Sequence, residues 1–236
     1  MAKELKREVQ YYYDSHPTKE DLMGETAMHA RLIRHLVSVL EWLFHGENCA
    51  IYDNLNFYQT RERMEYPVAP DIAVIKGVQD RNVRSWTVGL TGPAPQVVFE
   101  ILSEETWQTD LKEKLNKYAA MGVQEYFAFD PNEPPIRRRG AVPRLLGWRL
   151  DAARQEMVPL VADPQGRLWS EHLESWLVPN QASLQLYDRH YQLRLTQAEA
   201  EAQRADAAAQ KADAATRRAQ ALAEKLRSLG VNPDEL

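Results

Sequence analysis

The 236-residue chain is 44% hydrophobic, enough for one sizeable core or one core with an appendage. Its formal net charge of -5 gives no overall attraction to nucleic acid, although phosphate contacts need only a local basic face. The single cysteine, Cys49, excludes an internal disulfide and a cysteine-based zinc site. It fits a reducing compartment and reads as a small buried apolar residue.

The opening MAKELKREVQYYYD lacks the apolar h-region of a signal peptide, and no stretch reaches the ~18 apolar residues of a membrane helix. A cytoplasmic protein with no membrane partner is expected. The first helix begins near Gly24. Leu32, Leu36, Val39, Leu40 and Leu43 recur at helical spacing, and Gly46 supplies a stop. CAIYDNLNFYQ, rich in β-branched and aromatic residues, reads as one strand. DIAVI, opening at Asp71 after Pro67 and Pro70, reads as another, and the glycines and prolines of residues 77–95 as a loop.

PQVVFEIL is an apolar run of strand length, suited to burial on both faces. SEETWQTDLKEKLNKYAAMG reads as a helix capped by Ser103 or Thr106 and ending at Gly122. VQEYFAFDP is a further strand, stopped by Asp130 and Pro131. This alternation predicts an α/β fold with helices around a central mixed β-sheet. Beyond it, LLGWRL and EMVPLV flank DAARQ as a hairpin, and DPQGR marks another turn.

From Leu195 a 3.5-residue rhythm sets Leu195, Ala198, Ala202, Ala205, Ala209, Ala212, Thr216, Ala219, Ala223 and Leu226 along one seam. Seven of these ten are alanine, so close helix approach is allowed but little apolar area is buried. Seven basic residues balance seven acidic ones between Arg194 and Leu236, so the tail is no basic arm. It reads as an oligomerising coiled coil or as a lone helix favoured by alanine. The expected organisation is a domain over residues 1–192, with a core at about 17–135 and a β-rich extension over 136–192. A helical tail follows over 193–236.

Glu100 interrupts the apolar run PQVVFEIL, where an unpartnered carboxylate is costly. It needs either a structural ion pair or a metal. Pro70–Asp71 opens the preceding strand. One Asp and one Glu on neighbouring strands offer the oxygen ligands that magnesium prefers, and a nearby lysine can steady developing charge. His29, four residues after Glu25, shares a helix face with it but reads foremost as a hydrogen-bonded structural histidine. Ser103 and Gln124 either reach the site or cap and cover it. Arg137, Arg138 and Arg139, with Arg144 nearby, read as a solvated loop or a phosphate contact.

The stretches MGETAMHARLIRHL, APDIAVIKGV, PQVVFEILSEET and TDLKEKLNKYAAMGVQEYFAFDP together resemble the restriction-endonuclease family often called Uma-two, of the PD-(D/E)XK superfamily. The resemblance spans about residues 17–190. It implies a restriction-endonuclease-like core and an endodeoxyribonuclease using Mg2+, or Mn2+ in its place. Asp71 and Glu100 are then metal ligands, and Glu25 on the first helix completes the site. Leu102 stands where the motif's lysine falls, so the resemblance points to Lys114 on the following helix, a residue also spaced to pair with Asp110. DNA is the implied partner, and cutting both strands suits a homodimer or higher homo-oligomer. The competing expectation is a nucleic-acid-binding or scaffold module that keeps the fold without catalysis and assembles through the tail. In a third, the tail alone carries the function. No G-x-S-x-G, phosphate-cradling glycine loop or H-E-x-x-H points to other chemistry.

Overall fold

The structure is a computed structural model describing residues 27–59, 67–103, 107–132, 135–136 and 143–229. Helix α1 (Ala27–Leu43) buries Leu32, Ile33, Leu36, Val39 and Leu40, the stripe set by its helical spacing. Gly46, at φ 83°, turns the chain into the sheet with a left-handed backbone that favours glycine.

The predicted strand over residues 49–59 is two pieces. Strand β1 (Cys49–Asp53) ends at Asn54, whose positive φ breaks the ladder before β2 (Phe57–Tyr58). Strand β3 (Ile72–Lys76) follows. The predicted loop over 77–95 holds a short strand, β4 (Trp86–Thr87), paired parallel with β2. Strand β5 (Val97–Ile101) leads into α2 (Trp107–Thr109), a π-helical turn (Asp110–Lys114) and α3 (Leu115–Met121), which continue one another. Gly122, at φ 85°, ends this helix, and its N–H is given to the carbonyls of Tyr118 and Ala119. Strand β6 (Glu125–Phe129) then returns parallel to β5.

Strands β7 (Leu145–Asp151) and β8 (Glu156–Pro159) form the expected hairpin, and they extend the central sheet itself. The resulting six-stranded mixed sheet has the order β1-β3-β5-β6-β7-β8. Gly147 sits inside β7 because a Cβ there would lie 2.8 Å from Leu168 and 2.9 Å from Phe127. A separate antiparallel sheet holds β9 (Leu168–Ser170), β10 (Ser175–Asn180) and β11 (Ser183–Tyr187). Helix α4 (Gln197–Ser228) opens on a capping box between Thr196 and Glu199 and is exposed along almost its whole length.

Every residue of β5 and β6 is buried, because each face of the sheet is covered. On one face, Leu36 and Leu40 of α1 and Leu177 and Leu186 of the small sheet pack on Phe99, Phe127 and Phe129. On the other, Leu102, Tyr118 and Met121 pack on Val98, Tyr126 and Ala128. Alternation along β5 therefore sends Phe99 to the first face and Glu100 to the second, beneath α2, the π turn and α3.

Glu125 at the start of β6 is fully buried on the first face and has a complete set of partners. Arg149 donates to it from Nη2 (2.9 Å), Ser170 from its hydroxyl, and Glu171 and His172 from their backbone N–H groups. It thus clasps the small sheet to the large one. Glu125→Ala would leave those donors without an acceptor and is expected to lower stability by about 2–4 kcal/mol in chemical denaturation. A loss under about 0.5 kcal/mol would refute the clasp.

Candidate active site

Asp71 sits immediately before β3, and Glu100 lies near the end of its antiparallel neighbour β5, so both carboxylates lie at the same end of two adjacent central strands. Asp71 Oδ2 accepts a hydrogen bond from the Ile101 backbone N–H, which fixes it against β5. His29, in the first described turn of α1, brings Nε2 to 3.5 Å from the same oxygen. Glu100 is 1% exposed, and both its oxygens are engaged. Lys114 Nζ donates to Oε2 at 2.9 Å, and the Tyr118 hydroxyl donates to Oε1. Lys114 Nζ also lies 3.0 Å from Asp110 Oδ1, and Asp110 is itself 1% exposed. The Tyr126 hydroxyl donates to the Asp110 carbonyl at 2.9 Å.

Helix geometry explains why Asp110, Lys114 and Tyr118 converge. In an α-helix each four-residue step overshoots a full rotation by about 40°, so residues eight apart diverge by about 80°. A π step turns roughly 80° per residue and undershoots by about 30°. The π turn over Asp110–Lys114 followed by the α turn to Tyr118 nearly cancels the drift. Three polar side chains thus line up over Glu100.

Glu100 and Asp110 flank the Lys114 ammonium, and Asp71, with His29 beside it, adds a third acid whose charge acts on the same group. Burial raises the Glu100 carboxyl to about 8, with Lys114 and the Tyr118 hydrogen bond opposing and the charges of Asp71 and Asp110 adding to the rise. Burial works against the Lys114 ammonium, but Glu100 and Asp110 outweigh it and hold it above the ordinary lysine range. Burial, reinforced by Glu100, keeps Tyr118 well above the usual phenol range, so it remains a hydroxyl donor. The site therefore carries a surplus of buried negative charge. Its hard oxygen donors on Asp71 and Glu100 fit a divalent cation of the magnesium type. Among the described residues, no three His, Cys, Asp or Glu side chains are grouped to hold a metal ion. Glu25 lies outside the described residues.

Asp71, Glu100 and Lys114 are brought together, and His29 joins them. Leu102, at the position of the motif's lysine, is 5% exposed and packs in the apolar cluster under α3. Ser103 accepts the Trp107 N–H on its carbonyl at the start of α2, whereas Gln124 donates its amide to the Gly122 carbonyl, away from the carboxylates. Arg144 reaches the Gln181 carbonyl beside the small sheet, and Thr106 and Arg137–Arg139 lie outside the described residues. Cys49 is half-buried, and burial pushes its thiol up to about 11, so it stays a neutral apolar neighbour. Sequence reasoning paired Asp110 with Lys114, as the structure has them, but missed Tyr118, although the four-residue spacing from Lys114 was the available signal.

No helix among the described residues is long and apolar enough to cross a membrane. No curated protein matches the chain. A solved structure described as a putative nuclease belonging to DUF820, from Anabaena variabilis ATCC 29413, is 17% identical with a TM-score of 0.43. The match covers 64% of this chain and 76% of that one. The model of the Uma2 family, described as "Putative restriction endonuclease", matches residues 7–210, and the chain belongs to that family.

Proposed function

We propose that the protein is a Mg2+-dependent endodeoxyribonuclease that hydrolyses phosphodiester bonds. The observation that carries this reading is the buried Glu100 carboxyl, held by Lys114 and Tyr118 and crowded by the like charges of Asp71 and Asp110. In this reading Asp71 and Glu100 hold the metal. Glu25, four residues before His29 in the sequence and outside the described residues, adds a third oxygen donor directly or through water. The bound ion supplies Lewis acidity and a water of lowered pKa.

The chain's own groups do the rest. The Ile101 N–H fixes the Asp71 carboxylate against β5, so its remaining lone pairs are held in place for the cation. Lys114 donates from Nζ to a phosphate oxygen and offsets the charge that builds as the attacking water's oxygen bonds to phosphorus. The attacking water gives up a proton to solvent, the bond from phosphorus to the leaving sugar oxygen breaks, and that oxygen takes a proton from water. Lys114 thus stands in from the helix for the lysine absent at Leu102. Two-strand cutting suits a two-fold assembly, for which we assign the exposed seam of α4. Sedimentation showing only monomer at micromolar concentration would remove that part.

Supercoiled-plasmid nicking tests the activity. Wild type is expected to nick with Mg2+ or Mn2+, and Asp71→Ala to lose nicking by about 100-fold or more. One observation favours a second reading: both oxygens of Glu100 are already taken by Lys114 and Tyr118. A nucleic-acid-binding module without catalysis would retain DNA binding while wild type cleaves nothing under any divalent metal.

A further inference from the structure

Asp110 has no part in the chemistry above, yet it is as deeply buried as Glu100. Burying a second acid beside the first is unfavourable unless something holds it there. What it meets is Lys114, whose Nζ lies between Asp110 Oδ1 (3.0 Å) and Glu100 Oε2 (2.9 Å). The Tyr126 hydroxyl on the Asp110 carbonyl pins the first residue of the π turn to β6. Asp110 and Lys114 therefore keep their spacing through their own helix, independently of Glu100.

That arrangement has a consequence for any cation engaging Glu100. Lys114 carries like charge and occupies one of the two Glu100 oxygens, so it must yield that oxygen. Its side chain is 19% exposed, and with Glu100 as its sole acid it would swing towards water. Asp110 offers a second acceptor one turn away, at nearly the same distance. We propose that Asp110 is a positioning residue that retains the Lys114 ammonium beside the reacting phosphate when a divalent cation takes Glu100. The proposal rests on the nuclease reading and assigns Asp110 no contact with substrate.

The experiment is calorimetric Mn2+ titration of the full chain, paired with nicking kinetics, for wild type, Asp110→Asn, Asp110→Glu, Lys114→Met and the Asp110→Asn/Lys114→Met double variant. Asp110→Asn is expected to weaken Mn2+ binding and lower kcat, each roughly 10–100-fold, with KM for DNA little changed. Lys114→Met removes the competing charge and is expected to tighten Mn2+ binding while kcat falls. In the Lys114→Met background the Asp110→Asn loss should shrink, because Lys114 is the group through which Asp110 acts. If Lys114→Met does not fold, Asp110→Glu decides: it should bind Mn2+ more tightly than Asp110→Asn and regain part of kcat.

Equal Asp110→Asn losses in both backgrounds, or no loss in either, would overturn the positioning role, as would Asp110→Glu behaving like Asp110→Asn. The expected opposed metal shifts without DNA cleavage would remove the nuclease reading and leave the Asp110–Lys114 relation standing. Cleavage with unopposed shifts would do the reverse. Absence of Mn2+ binding by the wild-type chain would overturn both.

Discussion

Glu100→Gln is expected to abolish metal-dependent nicking, by roughly 1,000-fold or more, and to make the metal-free protein more stable at pH 8. The amide keeps the shape of the carboxyl but cannot hold a cation through charge. The stability gain follows from the raised Glu100 carboxyl, whose value moves from 4.5 to about 8 on burial. Between those pH values the folded chain holds a proton that the unfolded chain has released. The stability that Glu100 contributes is therefore fully present below about pH 4.5 and declines as pH rises towards about 8, by at most ~1.4 kcal/mol per unit. The groups facing Glu100 set that window: Lys114 and Tyr118 lower it, and Asp71 and Asp110 raise it. Denaturant titrations in EDTA from pH 5.5 to 8 should show the decline in wild type and a flatter profile in Glu100→Gln. Added Mg2+ should restore stability near pH 8 in wild type alone, since a cation binds the ionised carboxylate. Parallel pH profiles of the two proteins would show that Glu100 does not hold its proton in the fold.

Much of the architecture could be read in advance because the central strands are written in mostly apolar residues. PQVVFEIL and VQEYFAF are buried on both faces, and the glycines at 46 and 122 stop helices at positive φ. Glu100 was visible for the same reason, as one acid in an apolar run. CAIYDNLNFYQ misled because composition does not show a ladder broken by one left-handed asparagine, Asn54. The short parallel pair β2–β4 joins residues about thirty apart, a pairing that no local pattern contains. The π turn was hidden too, since D-x-x-x-K reads as an ordinary i,i+4 pair. That turn determines that Asp110, Lys114 and Tyr118 share a line over Glu100. Glu125 shows the limit of reasoning from burial alone. It is a buried strand carboxylate like Glu100, but Arg149 on the adjacent strand β7, together with Ser170 and two backbone N–H groups from the small-sheet segment, satisfies it. Both acids accept from donors, but Glu100 is in addition crowded by two further acids, Asp71 and Asp110. Surplus like charge, more than burial, separates a candidate metal ligand from a structural clasp.

Lys114→Met is expected to lower kcat by at least about 100-fold and to cost the metal-free protein about 3–5 kcal/mol. The kinetic loss follows from removing the site's ammonium, for which Leu102, packed in the apolar cluster, offers no replacement. The stability loss follows from leaving Glu100 and Asp110 buried together with no positive charge between them. The two losses should respond differently to conditions. Raising the pH from 6 to 8 lets Glu100 ionise beside Lys114 in wild type, whereas without that charge the variant must keep the carboxyl protonated, so the stability deficit should widen over that range. Adding Mn2+ should narrow the deficit, because a divalent cation replaces the lost charge, yet nicking should stay low, because no Nζ remains to meet the phosphate. A lysine merely solvated on a helix surface would give neither pattern: its removal would cost under about 0.5 kcal/mol at either pH. Chemical denaturation at pH 6 and 8, with and without Mn2+, therefore separates a site cation from a surface one. A deficit that is small and insensitive to pH would return Lys114 to the surface and leave Glu100 without the partner on which the catalytic reading depends.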